Sequence, residues 1–120
     1  MHERFKALCE QVAQVPVYPD RLPVTADLPA ISFLQISRAS ERALDDRVAL
    51  ITLNWQVRVT ANRRQEAQSI AKRLYALETL RIPEYQRLVI ESEMDEPQAD
   101  GTQVCSVMLN ISTTLRNVTV

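Results

Sequence analysis

Residues 50–77 read LITLNWQVRVTANRRQEAQSIAKRLYAL, and this stretch decides the fold. Ile51, Leu53, Trp55, Val57 and Val59 alternate with Thr52, Asn54, Gln56, Arg58 and Thr60. A side-chain period of two sends the first set to one face of a strand and the second set to the other. The apolar set must face a core. The opposite set is an unbroken row of hydrogen-bonding side chains, suited to water or to another protein's surface. After Ala61 the period changes: Ala67, Ile70, Ala71, Leu74 and Leu77 recur at helical spacing. That predicts an amphipathic helix over residues 63–78, with Asn62 as its N-cap and Gln65 at N3 in an approximate capping box.

Working outward, residues 3–15 place Phe5, Leu8, Cys9 and Val12 on one helical face, and Pro16 ends that helix. The next segment, VYPDRLP at 17–23, is too rich in proline for a central strand and reads as an extended or edge segment. Ile31, Phe33, Leu34 and Ile36 predict a strand over 30–37. Residues 38–47, RASERALDDR, form a charge-dense connection longer than a tight hairpin needs, expected to be a mobile loop or one short helical turn. Beyond the central helix, Leu88, Ile90 and Met94 alternate with Val89, Glu91 and Glu93 over 87–94, and 103–115 is a long strand rich in β-branched residues. Between them Asp100-Gly101 is a hairpin signal, with the only glycine of the chain where positive φ is most useful.

The order of elements predicts an α+β fold: a mainly antiparallel sheet of four to five strands with two helices packed on one face. Its core should contain Ile51, Leu53, Trp55, Val57, Val59, Leu88, Ile90, Cys105, Val107, Leu109 and Ile111. The polar row of the central strand would be matched on the last strand by Ser106, Asn110, Ser112 and Thr114. At 120 residues the chain is expected to be a single domain, 1–120.

Composition narrows function mainly by exclusion. Fourteen basic and fifteen acidic residues give a net charge of −1, which provides no electrostatic footprint for nucleic acid; the dense pair Arg63-Arg64 sits beside Glu66 and reads as a solvated helix face. The apolar runs are too short to span a bilayer, and the mixed-charge N-terminus has no secretory pattern, so a cytosolic setting is expected. One glycine removes the P-loop and the dinucleotide fingerprint, both of which need several glycines to bring backbone amides against phosphate. His2 is the only histidine, so neither a histidine-dependent triad nor a multi-histidine metal site can be built within one subunit. Cys9 and Cys105 match no metal or redox spacing and are expected to be small buried hydrophobes, unpaired. Carboxylate pairs at Asp45-Asp46, Glu91/Glu93 and Asp95-Glu96 have no convergent partner and read as solubilising or edge-protecting groups. Trp55 and Tyr75 read as core packing rather than as a ligand-stacking pair. No enzyme and no cofactor is expected.

The short N-terminal helix, the proline-rich edge ending in Leu28-Pro29-Ala30-Ile31, the charged loop, the Trp55 strand, the amphipathic helix and the terminal hairpin together cover nearly the whole chain. In that order they resemble the tail terminator (tail completion) proteins of long-tailed bacteriophages, including the minor tail protein U type of lambda-like phages. The resemblance implies a subunit of a hexameric ring at the head-proximal end of the tail tube, which ends tube polymerisation and offers a joining surface to the head. The partners it implies are further copies of the chain, the tail tube protein and a head–tail connector or neck protein, with no nucleic acid and no membrane. The location would be the virion tail, and the host cytoplasm during assembly. On this reading the expected interface residues are Arg38, Glu41, Arg42, Asp45, Asp46 and Arg47 in the charged connection, with Arg58 on the sheet face. The competing readings are another head–tail connector or neck protein, a small α+β ligand-binding or regulatory domain, and an enzyme whose site is shared between subunits around Glu91, Glu93 and Asp95.

Overall fold

The computed structural model describes residues 2–23, 27–42, 48–83, 85–96 and 104–119. Helix α1 (His2–Ala13) leads into a short strand β1 (Val17–Pro19). Then come the long strands β2 (Ala30–Arg42) and β3 (Val48–Ala61), helix α2 (Arg64–Leu74) with a 3-10 turn (Tyr75–Glu78), and strands β4 (Tyr85–Glu96) and β5 (Cys105–Thr119). They form one five-stranded sheet in the order β1-β2-β3-β5-β4, in which every neighbouring pair is antiparallel except the parallel β1–β2 contact. This is the expected α+β architecture.

The alternating row of β3 sorts as its period requires. Ile51, Leu53, Trp55, Val57 and Val59 are buried, together with Val107, Leu109 and Ile111 from β5 and Phe5, Leu8 and Cys9 from α1. Phe5 lies flat against Trp55, with ring centroids 4.2 Å apart and planes 7° from parallel, while Phe33 meets Phe5 edge-on at 5.6 Å. These three rings are the centre where α1, β2 and β3 meet. The Trp55 Nε1–H donates to the buried Thr113 Oγ1 at 2.9 Å, so the one polar atom of the indole is satisfied inside the core. From α2, Ala67, Ile70, Ala71 and Leu74 complete the layer, and Leu77 joins them from the 3-10 turn.

Several boundaries and placements differ from expectation, each for a physical reason. Arg38 to Arg42 are not a loop or a helical turn but the far end of β2, paired with β3 as far as Arg42 opposite Ala49. The remainder of the expected connection, including Asp45, Asp46 and Arg47, and the Asp100-Gly101 turn lie outside the described residues. Strands of this length outrun the helices: β5 reaches roughly 50 Å at strand rise, whereas α2 covers about 16 Å. Arg38 and Ala39, on opposite faces of β2, are both exposed, and the sequence there loses its alternation. The molecule is accordingly long, 55 × 26 × 24 Å, with a radius of gyration of 15.6 Å. A compact chain of this size would measure about 13.6 Å.

Helix α2 begins one residue later than predicted, and no capping box forms. Its N-cap is Arg63, extended at φ −131°, ψ 142°, with no side-chain hydrogen bond. Strand β3 runs on through the buried Ala61, which leaves only Asn62 and Arg63 to make the turn. In β4 a bulge between Ile90 and Ser92 inverts the face alternation. Leu88 and Ile90 therefore face the core, half-buried, while Met94 turns out to the open face instead of following them inward. Cys105 is half-buried rather than buried, and Tyr75 is exposed on the flank of the 3-10 turn.

With glycine so scarce, Gln14 and Asp20 take up the left-handed region, at φ 60° and 65°. Gln14 closes α1, its N–H donating to Glu10 O at 2.9 Å. A non-glycine residue there carries a steric cost that glycine lacks. Gln14→Gly should therefore raise stability by about 0.5–1 kcal/mol, after the larger entropy of glycine in the unfolded chain is subtracted. Denaturant titration should show a higher midpoint with an unchanged slope.

Candidate functional site

Among the described residues, the helices cover one face of the sheet only. On the bare face β3 carries Thr52, Asn54, Gln56, Arg58 and Thr60, and the register sets them opposite Thr114, Ser112, Asn110, Met108 and Ser106 of β5. The polar match expected from sequence is present, and these side chains largely satisfy one another. Thr52 and Thr114 hydroxyls lie 3.3 Å apart, Thr60 and Ser106 3.2 Å apart, Asn54 Nδ2 donates to Ser37 Oγ at 2.8 Å, and Asn110 Nδ2 donates to Ser92 Oγ at 2.9 Å. Cross-strand pairs of this kind stabilise the sheet by a few tenths of a kcal/mol to about 1 kcal/mol each.

Arg58, an expected interface residue, reaches diagonally over β5 and holds Glu96 with both ends of its fork, Nε to Oε1 and Nη2 to Oε2, the second at 3.1 Å. The bidentate geometry is good, but the Arg58 side chain remains 43% exposed, so the pair contributes at most about 1 kcal/mol. Of the other expected interface residues, Arg38 stands exposed on β2, and Glu41 and Arg42 occupy its last paired positions, opposite Leu50 and Ala49. The structure thus aligns Arg38, Glu41 and Arg42 along one strand and sets Arg58 apart on β3, engaged with β4.

A residue that sequence reasoning passed over is Arg64. Rather than lying on a solvated face, its Nη1 donates to Ser106 O at 2.7 Å and its Nη2 to Glu96 O at 2.8 Å, with Asp95 Oδ1 at 3.9 Å. One side chain at the first turn of α2 thereby ties the end of β4 to the start of β5. Glu96 is held from both faces, by Arg64 at its carbonyl and by Arg58 at its carboxylate. Only the charge density around Arg63-Arg64 hinted at this, and a salt bridge to Glu66 would have looked the same in sequence. At the other end of α2, Arg73 Nη1 donates to Ala13 O at 3.1 Å and joins the two helices.

The described carboxylates do not converge. Glu78 Oε2 accepts the Ile90 N–H at 3.0 Å and covers an open position at the β4 bulge, while Asp95 accepts from Gln68 Nε2 at 3.0 Å. Burial, and then the nearby Glu93 and Glu78, raise the Tyr75 phenol above its ordinary pKa. Among the described residues, no three His, Cys, Asp or Glu side chains are grouped to hold a metal ion. A hollow of about 430 Å³ is an open groove along α2 lined by Val15, Pro29, Ile70 and the charged Arg63, Glu66 and Arg73. Among the described residues, no helix is long and apolar enough to cross a membrane.

Burial pushes the Cys9 thiol from its ordinary value of 9.0 up to about 12, with Glu10 adding to the shift. Because only the unfolded chain ionises this thiol above pH 9, its contribution to stability is fully present below pH 9. Between pH 9 and 12 it is lost at up to roughly 1.4 kcal/mol per pH unit. Iodoacetamide at pH 8 should leave Cys9 unmodified in the folded protein and label it on unfolding, as read by peptide mass spectrometry.

A five-stranded, mostly antiparallel sheet covered by two helices on one face and internally hydrogen-bonded across the other defines an α+β scaffold. No family model and no curated protein matches the chain. Among solved structures it is similar to a chain of the virion of a native gene transfer agent particle, at 14% identity and a TM-score of 0.59, with 93% of this chain and 87% of that chain covered. At that identity the likeness is one of fold.

Proposed function

We propose that this protein is a structural component of a phage-like particle, and more narrowly a tail terminator: a ring on the head-proximal end of the tail tube that ends tube growth and offers a joining surface to the neck. The observation that carries the reading is the shared fold, which covers nearly all of this chain and most of a chain from a gene transfer agent virion. The order of elements over the whole sequence supports the narrower role. The mechanism is binding alone. Tube protein, neck protein and further copies of the chain are the partners, and Arg38, Glu41, Arg42, Asp45, Asp46, Arg47 and Arg58 are carried forward as contacts. Closed rings need the same two different surfaces to meet around a cycle, which an asymmetric subunit with two unlike sheet edges can supply.

Electron microscopy of particles produced without the protein tests the role. Overlong, headless tubes are the expected result. Headless tails of normal length would instead assign the protein to the neck, and intact particles would overturn both. Reversing the charges of Arg42 and Arg47 should leave the subunit folded by circular dichroism and yet reduce the number of completed tails.

A further inference from the structure

We propose that the sheet itself continues from one subunit to the next, the outer edge of β2 pairing antiparallel with the outer edge of β4 in a second copy of the chain. The inference deepens the ring reading and rests on it. Three observations carry it.

The first is an open edge. Strand β1 covers β2 only at Ile31, Ser32 and Phe33, and Asp20 N–H adds a bond to Phe33 O at 2.7 Å. Among the described residues nothing pairs with the outer side of β2 beyond that point, although the strand runs on to Arg42. Edges of this length are ordinarily defended by charge or covered. This one carries charge only from Arg38 onward, and before it presents Leu34, 42% exposed, and Ile36, 50% exposed at the bulge between Gln35 and Ser37.

The second is direction. The strands β2, β3, β5 and β4 alternate in direction and number four, so β2 and β4 run opposite ways. Rotation about an axis preserves strand direction along that axis. Each copy therefore brings a β4 that is antiparallel to the β2 of its neighbour, and the junction repeats at every step around a closed cycle.

The third is complementarity on both faces. Met94, 52% exposed, is the large apolar residue of the β4 edge and lies on the open face, as Leu34 does on β2. An antiparallel register that sets Leu34 opposite Met94 sets Gln35 opposite Glu93 on the helix-covered face. The side-chain parity of both strands is kept, as a buried junction requires. Arg38 then lies one cross-strand step from Glu93, within reach of a long side chain, and beside Glu91. The exposed cation of one edge meets the acids of the other. The polar row of β3 and β5 at the middle of that open face, whose groups largely satisfy one another, contributes little to this contact.

Cysteines at Leu34 and Met94, in a Cys105→Ser background, test the junction. Within one subunit these positions are three strand spacings apart, about 14 Å, far beyond disulfide reach, so any bridge between them joins two molecules. The full-length double variant, oxidised at high concentration, should give a non-reducing ladder of multimers that ends at a closed ring, while neither single-cysteine variant extends past a dimer. In sedimentation of the unoxidised protein, Arg38→Glu should weaken association at least tenfold, and adding Glu93→Arg should restore it. A protein that sediments as an oligomer without the ladder overturns the edge pairing and leaves the ring standing. One that stays monomeric and uncrosslinked at millimolar concentration overturns the edge pairing as well, whereas the particle morphology above decides the terminator role by itself.

Discussion

Trp55→Ala should cost about 3–5 kcal/mol, the range for emptying an aromatic site in a packed core. With a chain of 120 residues, the melting temperature should fall by roughly 12–20 °C. The reason is the number of elements that meet on one indole. Phe5 stacks on it from α1, Phe33 packs at 5.8 Å from β2, and Thr113 of β5 accepts its N–H. Removing the indole strips the face on which α1 docks and orphans a hydroxyl with no exposure to water, which then has only Leu53 O, at 3.4 Å, as a partner. Thr113→Val separates the two contributions: it keeps the volume and leaves the indole N–H unsatisfied, at a cost of about 1–3 kcal/mol. If Trp55→Phe and Thr113→Val prove additive, the hydrogen bond is not part of what holds the core. A thermal shift under 5 °C for Trp55→Ala would mean that the ring cluster is not its centre.

The second large effect is expected at Arg64. Substitution by methionine keeps an unbranched stem and removes two charge-assisted bonds to the carbonyls of Glu96 and Ser106. Bonds to charged donors contribute about 1.5–3 kcal/mol each when buried. The side chain is 31% exposed, so the expected loss for the pair is nearer 2 kcal/mol in all. Amide exchange should accelerate at the end of β4 and the start of β5 while the centre of β3 stays protected. Lysine should not rescue the loss, since a point charge on a flexible stem cannot reproduce the planar fork that spans two strands. Added salt should leave the wild-type value nearly unchanged, because the contacts are to backbone carbonyls and the nearby Asp95 lies at the limit of an ion pair. Uniform exchange in Arg64→Met would show that α2 needs no such tie.

Much of the architecture was legible in the chain because burial writes itself into period. A strand that is dry on one face and wet on the other must alternate, so β3 announced both its core row and its polar row, and α2 announced its buried stripe. Where the environment is uniform the signal disappears. Residues 38–42 are strand, yet Arg38 and Ala39 are exposed on opposite faces, so no apolar period marks the strand there and its charges read as a loop. The bulge in β4 failed to show for a related reason: one inserted residue shifts the phase without changing composition, so Met94 looked like a continuation of Leu88 and Ile90. The capping signal at Asn62 was real chemistry in the wrong frame, because pairing with β5 carries β3 past the position where a free helix would have started.

The candidate surfaces divide in the same way. By itself the sequence determined the fold class, the β3 faces, and the lack of the glycine and histidine patterns that phosphate loops and catalytic triads need, since each follows from local spacing and residue type. Tertiary structure alone decided that Arg58 engages Glu96, that Arg64 clamps two strands, and that the exposed apolar residues and opposite charges lie on two sheet edges running in opposite directions. These depend on register and strand order, which bring together residues up to 42 positions apart at Arg64. A one-residue slip would move every such partner to the other face. The row that began as a conspicuous polar stripe in residues 50–77 is now seen to meet much of its own hydrogen bonding, and the surface proposed to await a partner has moved to the edges.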